Sequence, residues 1–308
     1  MPLIGTMDSG VSALRTFQKG LEVIGNNIAN VNTTGFKAAS AKFSDSFSNI
    51  LQQSSPAPAS GNGSNTPTTA VGTGVNLAGI STNYSQGSLS STGNITDLGI
   101  AGNGYFIVRN SVTGASYATR AGDFRVDSQG YITTQAGYRL QGLTGGVAAI
   151  PASAGPPAVA AVAAVPPTTV GDIKLSTPPA GTQLQSYSID GSGNLVEFYS
   201  NGTSGITNQV LLQNFNDQSA LSSVGNGLFT GMVSAGPVSG SVTLSSANNT
   251  PGASGVGEIR SGTLELSNVD LTQQFSDLIT VQRSFEAASH LITVSDTVLG
   301  DIVDLKTR

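Results

Sequence analysis

A chain of 308 residues is long enough for about two domains, and with a net charge of −5 and only 10% charged residues it offers no basic face to nucleic acid or an anionic membrane. The absence of cysteine excludes disulfides, thiolate nucleophiles and the usual structural zinc sites, and a single histidine excludes most metal centres and nearly every catalytic triad. With 39 glycines and 13 prolines, many turns and short strands are expected.

The first residues, Met1 to Asp8, lack a basic region followed by an apolar core and a small-residue cleavage site, so no cleaved signal peptide is expected. From Asp8 the apolar residues fall at Val11, Leu14, Phe17, Leu21, Ile24, Ile28 and Val31, in steps of three and four from Leu14 onward. That spacing predicts a helix with a narrow coiled-coil-like seam. Asp8 or Ser9 caps its start, Gly35 supplies a left-handed stop, and its length is about 36 Å. Gly25, Asn26, Asn27 and Asn30 are poor helix formers, a composition suited to amide contacts with neighbouring molecules. Simple solvent exposure explains the same residues.

Residues 36–51, with Phe43, Phe47 and Leu51, read as a short amphipathic stretch, and 52–70 as a Ser/Pro/Gly-rich extension of one connector, 36–70. From Val71 the pattern has period two. Strands are predicted near 75–80, 104–109 and 116–120, and a hairpin at 124–133 turns on Asp127-Ser-Gln-Gly130. Residues 144–169 form a Pro/Ala-rich linker whose prolines exclude a membrane span. Strand signals resume at 171–175, a second hairpin covers 187–198, a buried strand 209–215, and one more strand is expected within 239–251.

The last stretch repeats the logic of the first. Leu278, Val281, Phe285, Ala288, Ile292, Ser295, Leu299 and Ile302 alternate three and four steps, one heptad after Leu271. A helix over 271–305, about 52 Å long, starts at an Asp270 N-cap with Gln273 as capping-box partner. Its expected partner is the other terminal helix. The fold class is mixed α and β: long N- and C-terminal helices form a coiled-coil-like stem (1–35 plus 262–308) around an inserted all-β domain (71–143 plus 170–261).

Chemistry is sparse. His290 lies in the C-terminal helix beside Ser289, whose side chain points away from it, so a structural histidine is favoured over a catalytic one. Asp190-Gly-Ser-Gly-Asn194 lacks the alternating oxygen ligands and distal Glu of a calcium loop. Gly99 to Gly104 fails as a dinucleotide loop because Ile107 stands where a third glycine belongs. Turns explain both. No catalytic residue, metal ligand or cofactor is predicted.

Ile24-Gly-Asn-Asn-Ile-Ala-Asn-Val-Asn-Thr-Thr-Gly-Phe-Lys37 resembles the N-terminal signature of the bacterial flagellar axial proteins, the rod and hook subunits. Stretches 97–108 and 119–127 through 137–142 resemble that family's central β domain, and Ser267-Asn-Val-Asp-Leu271, Gln282-Arg-Ser-Phe-Glu-Ala287 and Ile292-Thr-Val-Ser-Asp296 resemble its C-terminal helix. Tyr84 to Gly93 and the ending Val303-Asp-Leu-Lys306 are more similar to hook protein than to distal rod protein, whereas the length is closer to a distal rod subunit.

The resemblance implies a non-enzymatic extracellular subunit of the hook-basal body, exported by the flagellar type III apparatus and polymerising into the hollow tube between rod and filament. Its partners would be further copies and the other axial proteins: rod, hook-filament junction and hook cap. The expected subunit interface is Leu14, Phe17, Leu21, Ile24, Asn27, Ile28, Asn30 and Val31 with Leu278, Val281, Phe285, Ile292, Leu299 and Ile302. A β-sandwich adhesin or carbohydrate-binding module is the competing class, and it leaves both terminal seams without a role.

Overall fold

The computed structural model describes residues 2–55, 65, 67–147, 165–176, 178, 182–253 and 255–307. Two helices enclose the strands in sequence, and the chain divides into two compact units.

The first unit comprises Met1–Asn30, Ala38–Asn83 and Val269–Arg308. Helix α1 (Pro2–Ala29) begins six residues before the predicted cap at Asp8, since a proline is tolerated in a first turn where its missing N–H is not needed. Helix α2 (Leu271–Thr307) starts as expected: Asp270 Oδ1 accepts from Thr272 N at 2.8 Å and Gln273 N at 3.3 Å. The Gln273 side chain does not complete a capping box but donates to Asp277 Oδ1 at 2.7 Å. The helices pack antiparallel. A Cβ on Gly10 would lie 2.9 Å from Ile292 Cγ1, one on Gly20 would lie 3.6 Å from Val281 Cγ1, and Asn27 bonds Gln274 at 2.8 Å.

Of the connector expected at 36–70, residues 56–64 and 66 lie outside the described residues, and most of the rest forms a ladder. Strands β1 (Ala39–Asp45) and β4 (Val75–Thr82) pair antiparallel from Ala39↔Thr82 to Asp45↔Val75. Strands β2 (Ser48–Gln52) and β3 (Thr69–Gly72) continue the ribbon. The four-residue spacing of Phe43, Phe47 and Leu51 suits one helix face, but the alternation Ala39, Ala41 turns the less exposed side of β1 toward α1. Phe17 meets Phe43 edge-on at 6.0 Å, and Thr16 Oγ1 donates to Val75 O at 3.2 Å. These strands belong with the helices, which corrects the placement of 71–82 in the β domain.

The second unit comprises Val31–Lys37 and Tyr84–Asn268, so residues 31–35 and 262–268 belong here and not to the helical part. Its strands are β5 (Leu89–Ser91), β6 (Leu98–Ala101), β7 (Tyr105–Arg109), β8 (Ser116–Thr119), β9 (Arg125–Val126), β10 (Ile132–Thr133), β11 (Arg139–Thr144) and β12 (Thr169–Asp172), then β13 (Leu184–Ile189), β14 (Asn194–Tyr199), β15 (Ser204–Val210), β16 (Leu212–Gln213), β17 (Ser222–Gly225), β18 (Leu228–Thr230), β19 (Glu258–Ser261) and β20 (Thr263–Glu265).

The main sheet runs β13-β14-β15-β11-β7-β8-β18-β17, while β19 pairs β6 and β20 pairs β5. Strand β7 is buried on both faces: Phe106 and Val108 enter one apolar cluster with Leu98, Leu140 and Ile173, and Tyr105 and Ile107 enter another with Leu211 and Phe215. Both predicted hairpins form, as β9/β10 around Asp127–Gly130 and β13/β14 around Asp190–Gly193. The strand expected within 239–251 is absent; turns occupy it, and Asn249 spends its amide on Leu212 O and Gln213 Oε1. Most of the Pro/Ala segment, 148–164, lies outside the described residues. Its flanks are strands β11 and β12, paired antiparallel through Thr144↔Thr169.

Candidate functional site

In the first unit the predicted seam residues of α1 divide by depth. Ile24 is buried, while Leu14, Phe17, Leu21 and Ile28 are half-buried. Asn27 is 1% exposed, and its polar groups are all engaged inside the chain: Nδ2 donates to Ala39 O at 2.7 Å and to Gln274 Oε1 at 2.8 Å, and Oδ1 accepts from Ala39 N at 3.0 Å. That corrects the expectation of an amide offered to a neighbouring molecule. Asn30 Nδ2 turns back to Asn26 O at 2.9 Å. Val31 is half-buried in the second unit and is not part of the helix pair.

On α2, Leu278, Val281, Ile292 and Leu299 are half-buried, whereas Phe285 and Ile302 are exposed. A strict seven-residue repeat drifts about 20° per heptad on a straight helix, which turns Ile302 off the covered face. The antiparallel register also places Pro2 opposite about residue 299, so α2 outruns α1. Leu291, Val294, Val298, Ile302 and Leu305 form a second, exposed apolar stripe at steps of three, four, four and three. Beside α1 lies a groove of about 650 Å³ bordered by Gly5, Gly10, Ala13, Leu51, Val71 and Leu291.

The second unit holds a buried ion triad that the sequence reading missed. Glu265 Oε1 accepts from Lys37 Nζ at 2.6 Å and Gly87 N at 2.9 Å, and Oε2 accepts from Arg120 Nη1 at 3.1 Å. The three side chains are no more than 3% exposed. Lys37 also donates to Ser85 O at 2.8 Å and Arg120 Nη2 to Gly102 O at 3.0 Å, while Arg120 Nε has no partner. Burial holds the Lys37 pKa below its usual value, Glu265 pulls it back up, and Arg120 adds to the drop. The Arg120 guanidinium stands 5.1 Å from the centre of the Tyr105 ring, and burial pushes the Tyr105 hydroxyl up to about 12.

Gly35 explains why this motif enters the unit so closely. Its φ is +67°, and a Cβ there would lie 2.8 Å from the Arg120–Ala121 peptide, so both backbone conformation and space require glycine. The signal available in the sequence was a charge, Glu265, at an alternating position of a short strand in a chain so poor in charges. No group of three or more His, Cys, Asp or Glu side chains placed to hold a metal occurs among the described residues. His290 is exposed on α2.

Comparison with known proteins gives three family matches in chain order. Residues 7–37 match the flagella basal body rod protein family, 99–197 the flagellar hook protein FlgE/F/G D1 domain, and 260–305 the flagellar basal body rod FlgEFG protein C-terminal family. The flagellar basal-body rod protein FlgG of Bacillus subtilis is 34% identical over 304 residues, covering 99% of this chain and 100% of that protein. FlgG of Caulobacter vibrioides is 31% identical over 309 residues, covering both chains completely. The flagellar hook protein FlgE of Borreliella burgdorferi is 26% identical over 453 residues, covering 99% of this chain and 100% of that protein.

Proposed function

Because this chain belongs to the flagellar rod and hook protein family, a structural family of the flagellar axis, we propose that its copies polymerise through the terminal helices into the hollow tube of that axis. The observation that carries this reading is the exposed apolar stripe of α2. A helical polymer joins two different surfaces of each subunit, and the end of the stripe from Val294 to Leu305 and the groove bordered by Gly5, Gly10, Leu51 and Val71 provide such a pair. Of the predicted seam residues, the exposed Phe285 and Ile302 of α2 face neighbouring copies in this proposal, while buried Ile24 and half-buried Leu14, Phe17, Leu21 and Ile28 join α1 to α2 as a coiled-coil-like stem inside each subunit. Neighbouring axial proteins are its other partners, and export through the flagellar type III apparatus to an extracellular position belongs to the same reading.

The motifs at 84–93 and 303–306 indicate the hook segment. A second reading, the distal rod, is favoured by rod relatives that match over the full length of both chains. Negative-stain microscopy of the concentrated protein tests polymerisation: tubes are expected, and soluble monomers at every concentration refute it. Basal bodies from cells lacking the chain separate the two readings. A complete rod without a hook assigns the hook, and a shortened rod assigns the distal rod.

A further inference from the structure

Gly35, in its left-handed conformation, follows the end of α1, and the last residues of the resemblance motif, Gly35-Phe36-Lys37, are built into the second unit. They meet the stretch that leads to α2. Gly35 N donates to Glu265 O at 2.8 Å, Asn268 N to Phe36 O at 3.4 Å, and Asn268 Nδ2 to Ser85 O at 3.0 Å, the carbonyl that also accepts from Lys37. Around these bonds sit two buried cations and the single carboxylate they share, 228 residues from Lys37 and 145 from Arg120.

An ion triad of this kind is a poor source of bulk stability, because its desolvation offsets most of its attraction. It is a good source of direction. Each oxygen of Glu265 has a cation at a set position, and Gly87 N fixes the plane of the carboxylate. Removing the one anion leaves two cations buried without a counter-charge, so the cheapest relief is local opening of the segments that carry the charges.

We propose that Lys37, Arg120 and Glu265 are positioning residues for assembly: within the second unit they latch residues 31–37, which follow α1 in the chain, to residues 265–268, which precede α2, so that the two connections to the terminal segments are held together. This rests on the proposed polymerisation through the terminal helices. The triad contacts no neighbour itself; it acts through residues 31–37 and 265–268.

Hydrogen exchange on the full-length monomer, followed by mass spectrometry, reads the latch without needing polymers. Glu265→Gln is expected to speed exchange at Gly35, Gly87 and Asn268 about a hundredfold or more, with Phe106, Val108 and Leu140 within about tenfold of the unaltered protein. Equal loss at both sets, or no loss at Gly35 and Asn268, overturns the proposal. A second variant, Lys37→Met with Arg120→Met and Glu265→Leu, removes every charge and keeps an apolar filling. It is expected to keep a folded core and to polymerise at least tenfold more slowly, and normal polymerisation by it overturns the proposal. Failure of the unaltered protein to form tubes refutes polymerisation itself, while the exchange result still decides the latch.

Discussion

Asn27 is the sharpest test of the helical unit, because its side chain joins three pieces of chain at once. Its three hydrogen bonds tie α1 to both main-chain groups of Ala39 in β1 and to Gln274 on α2. At about 1 kcal/mol for each bond, Asn27→Ala is expected to cost roughly 3 kcal/mol, with the Ala39 N–H and C=O left to find other partners. Asn27→Asp keeps one acceptor for Ala39 N but turns a carboxylate toward Ala39 O and Gln274 Oε1, so it is expected to cost at least as much. Amide exchange of peptides covering 21–29 and 38–45 measures this directly. A loss of 3 kcal/mol corresponds to about a hundredfold faster exchange. The reasoning also requires that peptides from β7 and β11, in the other unit, stay unchanged. Less than about threefold acceleration in Asn27→Ala would refute the reading of Asn27 as an internal tie and return it to the surface role expected from the sequence.

Other substitutions test other parts of the molecule. Gly35→Ala is expected to destabilise the second unit by more than about 2 kcal/mol, from its left-handed φ and the 2.8 Å approach to the Arg120–Ala121 peptide; an unchanged urea midpoint would contradict it. Ile302→Asp is expected to abolish sedimenting polymers while leaving circular dichroism and thermal unfolding of the monomer unaltered, since Ile302 is 47% exposed past the end of α1; normal polymers would count against the stripe. Ile24→Asp is a poorer probe, because Ile24 is buried within the chain and the charge would unfold the helical unit as well. Burial, reinforced by Asp97, raises the pKa of Asp123 above its usual value. The folded state therefore binds its proton more tightly than the unfolded state, and stability falls as pH rises from the ordinary carboxylate value through the raised one. Asp123→Asn is expected to raise the urea midpoint at pH 7 and to leave it unchanged at about pH 3; an unchanged midpoint at pH 7 refutes the assignment.

The two helices, the Asp270 cap and the hairpins turning at 127–130 and 190–193 were legible because each depends on residues within a few positions of one another. A three-and-four spacing of apolar residues has one good backbone solution, and an Asp-containing turn closes on its own main chain. The second half of β1 and the start of β2 were not legible for the same reason. Phe43, Phe47 and Leu51 fit a helix locally, and only β4, β3 and the face of α1, brought from elsewhere in the chain, make an extended ribbon the better solution. The division into units was not legible for the same reason, since a ribbon packed on α1 carries residues 38–83 to the helical side. Sequence alone also placed Asn27 among surface amides, because nothing near it in the chain predicts that Ala39 and Gln274 will take all its bonds. The expected partner of each terminal helix was right in identity, but its antiparallel register, and hence the uncovered end of α2, came from packing. Lys37, Arg120 and Glu265 are three ordinary charges when read in order. Their meaning arises only when closure of the fold excludes water from all three, because charges 228 residues apart have no interaction until the chain has brought them together and removed the solvent that screens them.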